Sequence, residues 1–311
     1  MHDDGQRERK LALARHMRAL GQLHGAVEVL RGVLTEDPDD AEAHALLGLV
    51  LLDQRRLPAA ALEIQRALTL EPELGLAQIA GAALALAQRR LRDAEAILHQ
   101  RLAAEPEDVD AVRLLAESLR LAGRPSEAIQ MLERGLAIEP EAPDLLADLG
   151  EILLAAGRRA EARVRVEEAL ALEPGNAEAL VVMGHLRLQE GQVEDARQHA
   201  IWVLQDDPSS GPALGLLAAA KARQSLALGL WWRANTALSA RGEGAVLAIL
   251  LGAFVVYRVL HTYLGQHHET ELASLVQIGW LAICVYSWVG PSLFRRSLEK
   301  ELEAVRLRPD F

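Results

Sequence analysis

Residues 143–176 read PDLLADLGEILLAAGRRAEARVRVEEALALEPGN. Leu145, Leu146, Leu149, Ile152 and Leu153 recur at spacings of three and four, which places them on one face of a helix. Gly157 then breaks the pattern with Arg158 and Arg159 beside it. That suits a helix C-terminus, where glycine tolerates the cap and cations face the negative end of the dipole. A second helix is expected from about Arg159 to Leu172. Pro174 ends it, because proline lacks an amide donor and drives the preceding residue out of helical geometry.

Working outward from this stretch, the same unit recurs along the chain. Pro38, Pro72, Pro106, Pro140, Pro174 and Pro208 are each 34 residues apart, and each follows Asp or Glu. Ala26, Ala60, Ala94, Ala128, Ala162 and Ala196 stand twelve residues before them. Small residues recur where the paired helices would cross, at Gly48, Ala82, Ala116, Gly150 and Gly184. A 34-residue helix–turn–helix unit with small crossing residues and a closing proline resembles the tetratricopeptide repeat. The aromatics common near the start of such units are absent, and Leu146 and Leu180 take their place. The resemblance implies an all-α, right-handed superhelical solenoid of about six repeats: residues 7–40, 41–74, 75–108, 109–142, 143–176 and 177–210, within an array spanning 1–210. One unit cannot bury its own apolar face, so stability must come from stacking. Residues 211–243 are read as a capping helix, roughly Pro212 to Ser225 with Leu214, Leu217 and Ala218 in register, followed by an interfacial linker.

Charge separates two halves. Residues 1–210 hold 23 Lys and Arg against 37 Asp and Glu, and residues 211–311 hold 10 against 7. The acidic array argues against nucleic acid, whose phosphates call for clustered cations. The basic remainder points to anionic lipid. Residues 272–294, LASLVQIGWLAICVYSWVGPSLF, carry no charge and exceed the roughly 20 residues that cross a bilayer. Residues 244–264 are long enough but contain Arg258, read either as an intramembrane functional charge or as a snorkelling side chain near a helix end. The expectation is a two-helix transmembrane hairpin with a short outer loop at 265–271 and a basic tail at 295–311. Arg258 and Gln277 are its polar positions, and Gly252 and Gly279 are candidate close-packing points. Basic flanks and a loop without Lys or Arg place the array and both termini in the cytoplasm of a bacterial-type inner membrane. The opening residues carry no apolar signal-peptide core, which agrees. Trp231 and Trp232 suit either an interfacial helix or packing on the last repeat.

No phosphate loop, nucleophile elbow or helical zinc pattern appears, so no enzyme, cofactor or metal is expected. His261, His267 and His268 read as solvated. Cys284 is the sole cysteine and excludes an intramolecular disulfide. The carboxylates around each proline read as helix N-caps. The resemblance implies that first helices line a groove for a protein or peptide partner. The outward positions are Asp110, Arg113, Glu117 and Arg120 in the fourth unit, Asp144 and Glu151 in the fifth, and Glu178, His185 and Gln189 in the sixth. Earlier units offer the apolar Leu49, Leu52, Leu76 and Ile79. The function expected is a membrane-anchored scaffold that recruits soluble partners. The alternative is an assembly subunit of an oligomeric pore or transporter in which the hairpin works.

Overall fold

The computed structural model describes residues 2–224, 243–266, 272 and 274–281. Among these residues there is no strand. The chain divides at Pro174 into two compact units, taken separately below. The first holds α1 (His2–Ala19), α2 (Leu23–Glu36), α3 (Ala41–Asp53), α4 (Leu57–Leu70), α5 (Gly75–Ala87), α6 (Leu91–Ala104), α7 (Val109–Leu121), α8 (Pro125–Ile138), α9 (Pro143–Ala155) and α10 (Arg159–Leu172). The second holds α11 (Ala177–Gln189), α12 (Val193–Asp206), α13 (Gly211–Gln224) and α14 (Glu243–Gln266).

The recurring proline acts through the residue before it. Asp37, Glu71, Glu105, Glu139 and Glu173 end their helices in extended geometry, with φ from −121° to −136°. That is where a residue preceding proline is forced to sit. Two turn residues later a new helix starts. Asp40 and Asp108 cap α3 and α7, their carboxylates accepting from the Ala43 and Ala111 amides at 2.9 Å, and Asn176 caps α11 in the same way. The capping role expected of the proline-side carboxylates is thus real at these positions, while Leu74 and Ala142 begin α5 and α9 with no side-chain cap.

Packing within a unit turns on the small residues. Ala26, Ala60, Ala94, Ala128 and Ala162 are each 0 % exposed. At Gly48 a Cβ would lie 2.4 Å from Ile64 Cγ1, and at Gly150 one would lie 2.4 Å from Val166 Cγ2. Both contacts fall on the second helix of the same unit, sixteen residues on. Leu98, Leu132, Leu145 and Leu149 fill the core of the middle units, and Leu30, Leu46 and Ile64 that of the early ones. Ion pairs seat α1: Arg7 on Asp40 and Glu42, Lys10 on Glu36 and Arg18 on Asp53. The aromatic-replacing Leu146 is 3 % exposed.

In the second unit, Leu216 of α13 lies where a Cβ on Gly184 of α11 would stand, 2.2 Å away. Leu216 and Leu217 are fully buried, so α13 covers α11 and α12 as the expected capping helix. Side chains of α14 are described from residue 254 onward. Tyr257 stacks on Trp280 at 5.0 Å and 9°, and Phe254 meets the same ring at 6.1 Å, joining α14 to the helical residues 274–281. Among the described residues no helix is long and apolar enough to cross a membrane. The first expected span, 244–264, falls within α14. The second, 272–294, passes outside the described residues after 281, as do Trp231, Trp232, His267, His268 and Cys284.

Candidate partner-binding face

α7 and α9 are the first helices of consecutive units, and their polar positions face the same way. Arg113 reaches across from α7 to α9, donating from Nε to Asp148 Oδ2 at 2.6 Å and from Nη1 to Asp144 Oδ2 at 3.4 Å. Two turns on, Arg120 forms a two-pronged bond to Glu117 at 2.6 and 2.7 Å and comes within 4.0 Å of Glu151 on α9. The four carboxylates Glu117, Asp144, Asp148 and Glu151 therefore surround two guanidinium groups. A pit of about 10 Å³ opens between them, floored by Ala116, Leu132 and Ile152. That is the room of about one water.

Burial sets the electrostatics. It raises the Asp148 carboxyl above its ordinary value despite the Arg113 charge, with Glu117 and Asp144 adding repulsion. Burial raises Glu151 as well, against the pull of Arg120 and with repulsion from Glu117 and Asp148. On Arg120 the Glu117 bond outweighs burial and raises its pKa. The face thus keeps uncompensated negative charge in a partly desolvated setting, where a further cation is favoured.

Of the residues expected from sequence, the structure brings together Arg113, Glu117, Arg120, Asp144 and Glu151, with Asp110 exposed at the N-terminal end of α7. Glu178, His185 and Gln189 lie on α11 in the second unit. Burial there lowers the His185 pKa. Asp148 was missed. Its signal was an offset of 35 residues from Arg113, the same offset that joins Arg7 to Glu42 and Arg18 to Asp53. That offset links neighbouring first helices. Of the apolar early positions, Leu49 is 5 % exposed and so buried, while Leu52, Leu76 and Ile79 are half-buried and pack on the edges of the core clusters. Arg258 and Gln277 are both exposed, and among the described residues no hydrogen bond joins them. Among the described residues no group of three or more His, Cys, Asp or Glu could hold a metal ion.

Two family models, each described as "Tetratricopeptide repeat", match the chain, one at residues 85–134, 119–168 and 153–220 and the other at residues 11–74. Together they take in more than half of the chain. No curated protein sequence matches it. Solved structures of similar fold include a chain of the APC/C hetero-tetramer Cut9–Hcn1, at 15 % identity and a TM-score of 0.62, covering 93 % of this chain and 55 % of that one. A tetratricopeptide repeat protein from Parabacteroides merdae matches at 16 % identity and a TM-score of 0.58, covering 68 % and 83 %. PilW, described as a widely conserved type IV pilus biogenesis factor, matches at 18 % identity and a TM-score of 0.52, covering 68 % and 98 %. At such identities the likeness concerns the fold. Helix–turn–helix units repeating at 34 residues, glycine and alanine at the helix crossings and two matching family models lead to one conclusion: the chain belongs to the tetratricopeptide-repeat family.

Proposed function

We propose that the protein is a non-catalytic scaffold, held at a membrane by its C-terminal segment, that recruits a soluble protein through the α7–α9 face. The observation that carries the recruiting role is the excess of carboxylates around Arg113 and Arg120, two of them, Asp148 and Glu151, ionised at a cost set by burial. A Lys or Arg side chain of a partner relieves that cost. The recognised segment is therefore basic, and its cations sit against Glu117, Asp148 and Glu151. Fold relatives that work in assemblies, the APC/C chain and the pilus biogenesis factor, are consistent with a binding role.

The anchoring part of the proposal draws on the apolar surface of α14 and residues 274–281. Val255, Val256, Val259, Leu275, Ile278 and Leu281 are each more than half exposed. Such a surface asks for lipid or another apolar cover. With the basic flanks, it supports a bacterial-type inner membrane, with the array on the cytoplasmic side.

The experiment is affinity purification of the full chain from solubilised membranes, beside Glu117→Arg/Glu151→Arg. A partner recovered with the parent chain and lost with the variant supports recruitment through this face. An unchanged set of partners would remove the α7–α9 face from the account. Extraction of membranes with alkaline carbonate tests the anchor separately: the chain stays in the pellet if the segment is embedded, and its release would end that part of the reading.

A further inference from the structure

Four of the five turns that join paired helices within residues 1–174 carry a second charge pattern, opposite in sign to the partner face; the turn at 20–22 has no arginine. In the first unit of the structure they contain Arg55 and Arg56, Arg89 and Arg90, Arg124, and Arg158 and Arg159, with Arg92 just beyond, and all eight side chains are exposed. Residues 54–57, 88–91, 122–125 and 156–159 include no carboxylate. The turns on the other edge read DPDD at 37–40, EPEL at 71–74 and EPED at 105–108. One edge of the array is therefore basic and the other acidic.

Neighbouring basic turns lie within side-chain reach. Arg124 Nη1 donates to Glu95 Oε2 at 3.0 Å, and a shallow cleft of about 640 Å³ between the two turns is lined by Arg89, Arg90, Arg92 and Arg124 with Asp93 and Glu95. Asp93 is taken by Arg90 at 2.7 Å and Glu95 by Arg124. Among the described residues, Arg55, Arg56, Arg89, Arg92 and Arg159 have no side-chain ion pair or hydrogen bond. The cleft is left with two uncompensated guanidinium groups.

Backbone strain recurs on this edge. Arg55 and Arg89 sit at φ of 59° and 60°, where the corresponding turns use Gly21, Gly123, Gly157 and Gly191. An L side chain is strained there. Arg56, Arg90, Arg124 and Arg158 occupy the N-cap positions of α4, α6, α8 and α10 without capping them, as Gln22 does at α2, while on the acidic edge Asp40 and Asp108 cap their helices and Leu74 and Ala142 do not. Strain kept at the same place in two consecutive repeats, at Arg55 and Arg89, is a mark of function.

We propose that this arginine edge docks on an anionic phospholipid surface. Exposed guanidinium forks bind phosphate oxygens in pairs, and a row of them on protruding turns suits a flat surface. The acidic edge does not oppose this. A helix of 13 or 14 residues separates the edges by about 20 Å, and the screening length is about 8 Å at physiological salt. The choice of lipid over an acidic protein rests on the anchored reading above, since an embedded segment keeps the edge close to headgroups at high effective concentration.

The test uses the full chain with Cys284→Ser and a fluorophore on Ala122→Cys in the basic edge or on Glu73→Cys in the acidic edge. Vesicles of phosphatidylcholine, alone or mixed with phosphatidylglycerol, carry a quencher on their headgroups. Quenching at position 122 on the mixed vesicles only, relieved by salt, with none at position 73, is the expected result. Arg55→Gly/Arg89→Gly/Arg92→Gln should weaken docking on the order of a hundredfold, at roughly fivefold per arginine. Its thermal melt should not fall, because the glycines relieve backbone strain, so lost docking is not lost folding. Sedimentation with both vesicle types but no quenching at position 122 overturns edge docking and leaves the anchor standing. Sedimentation with mixed vesicles alone, abolished in the triple variant, supports edge docking and overturns the anchor. Failure to sediment with either overturns both. A response of the label at position 122 to polyglutamate or nucleic acid, with none to mixed vesicles, overturns the lipid assignment.

Discussion

Gly150 shows how much one atom matters in this architecture. An added Cβ there meets Val166 Cγ2 at 2.4 Å and the Ala162 carbonyl oxygen at 3.4 Å. Overpacking of this kind costs about 1–3 kcal/mol, and alanine's better helix propensity returns up to about 1 kcal/mol. Gly150→Ala is therefore expected to lower unfolding free energy by about 1 kcal/mol, measured by denaturant titration. The same change at Gly32, where nothing lies within 4 Å of the added atom, should stabilise instead. The histidines of the second unit give a pH signature. Burial holds His185 and His199 below the ordinary 6.5, with Arg187 adding repulsion on His199. The unfolded chain then takes up protons before the folded chain does. Stability from these groups is full above 6.5 and is lost as pH falls from there toward the lowered folded values. His185→Gln should flatten that fall in melts recorded between about pH 7 and pH 5.

At the level of elements, helices were legible because three local signals agreed: the three-and-four spacing of Leu145 to Leu153, the glycine turn at Gly157 and the proline exit at Pro174. The second helix expected over Arg159–Leu172 is observed at those residues. Pairing between elements was harder to read. Asp148 is one carboxylate among many in the sequence, and only stacking shows that it receives Arg113. Leu49 looked outward on an isolated helix, and in the stacked array it is buried. The arginine edge was visible as single residues in turns but not as a row. The Arg113 bridge between α7 and α9 makes its own prediction. Arg113→Ala leaves Asp148 half-buried without its main cation, which should cost about 1–2 kcal/mol, above the value of an exposed pair. Arg113→Ala/Asp148→Asn should recover part of the loss, as a double-mutant cycle of denaturation free energies would show.

For the whole molecule, the repeat pattern carries a fold but not a ligand, since one architecture serves many partners. What distinguishes this array is where charge fails to cancel. Its first unit presents a carboxylate-rich face on α7 and α9, an arginine edge at the turns and an acidic edge opposite. Stability in such arrays sums over neighbouring repeats. Charge substitutions on exposed faces should therefore change binding with little effect on unfolding, and substitutions at Ala60, Ala94 or Ala128 should do the reverse. The exposed apolar residues of α14 and 274–281 lie outside that repeat logic and are the surface on which the proposed anchoring rests. The central claim, recruitment through the α7–α9 face, is tested most directly by a photo-crosslinking amino acid at position 110, exposed on α7, in living cells, with position 167 on the exposed side of α10 as control. The account predicts a discrete protein adduct from position 110 that disappears with Glu117→Arg and is absent from position 167. Adducts from position 167 alone, or none from either, would contradict it.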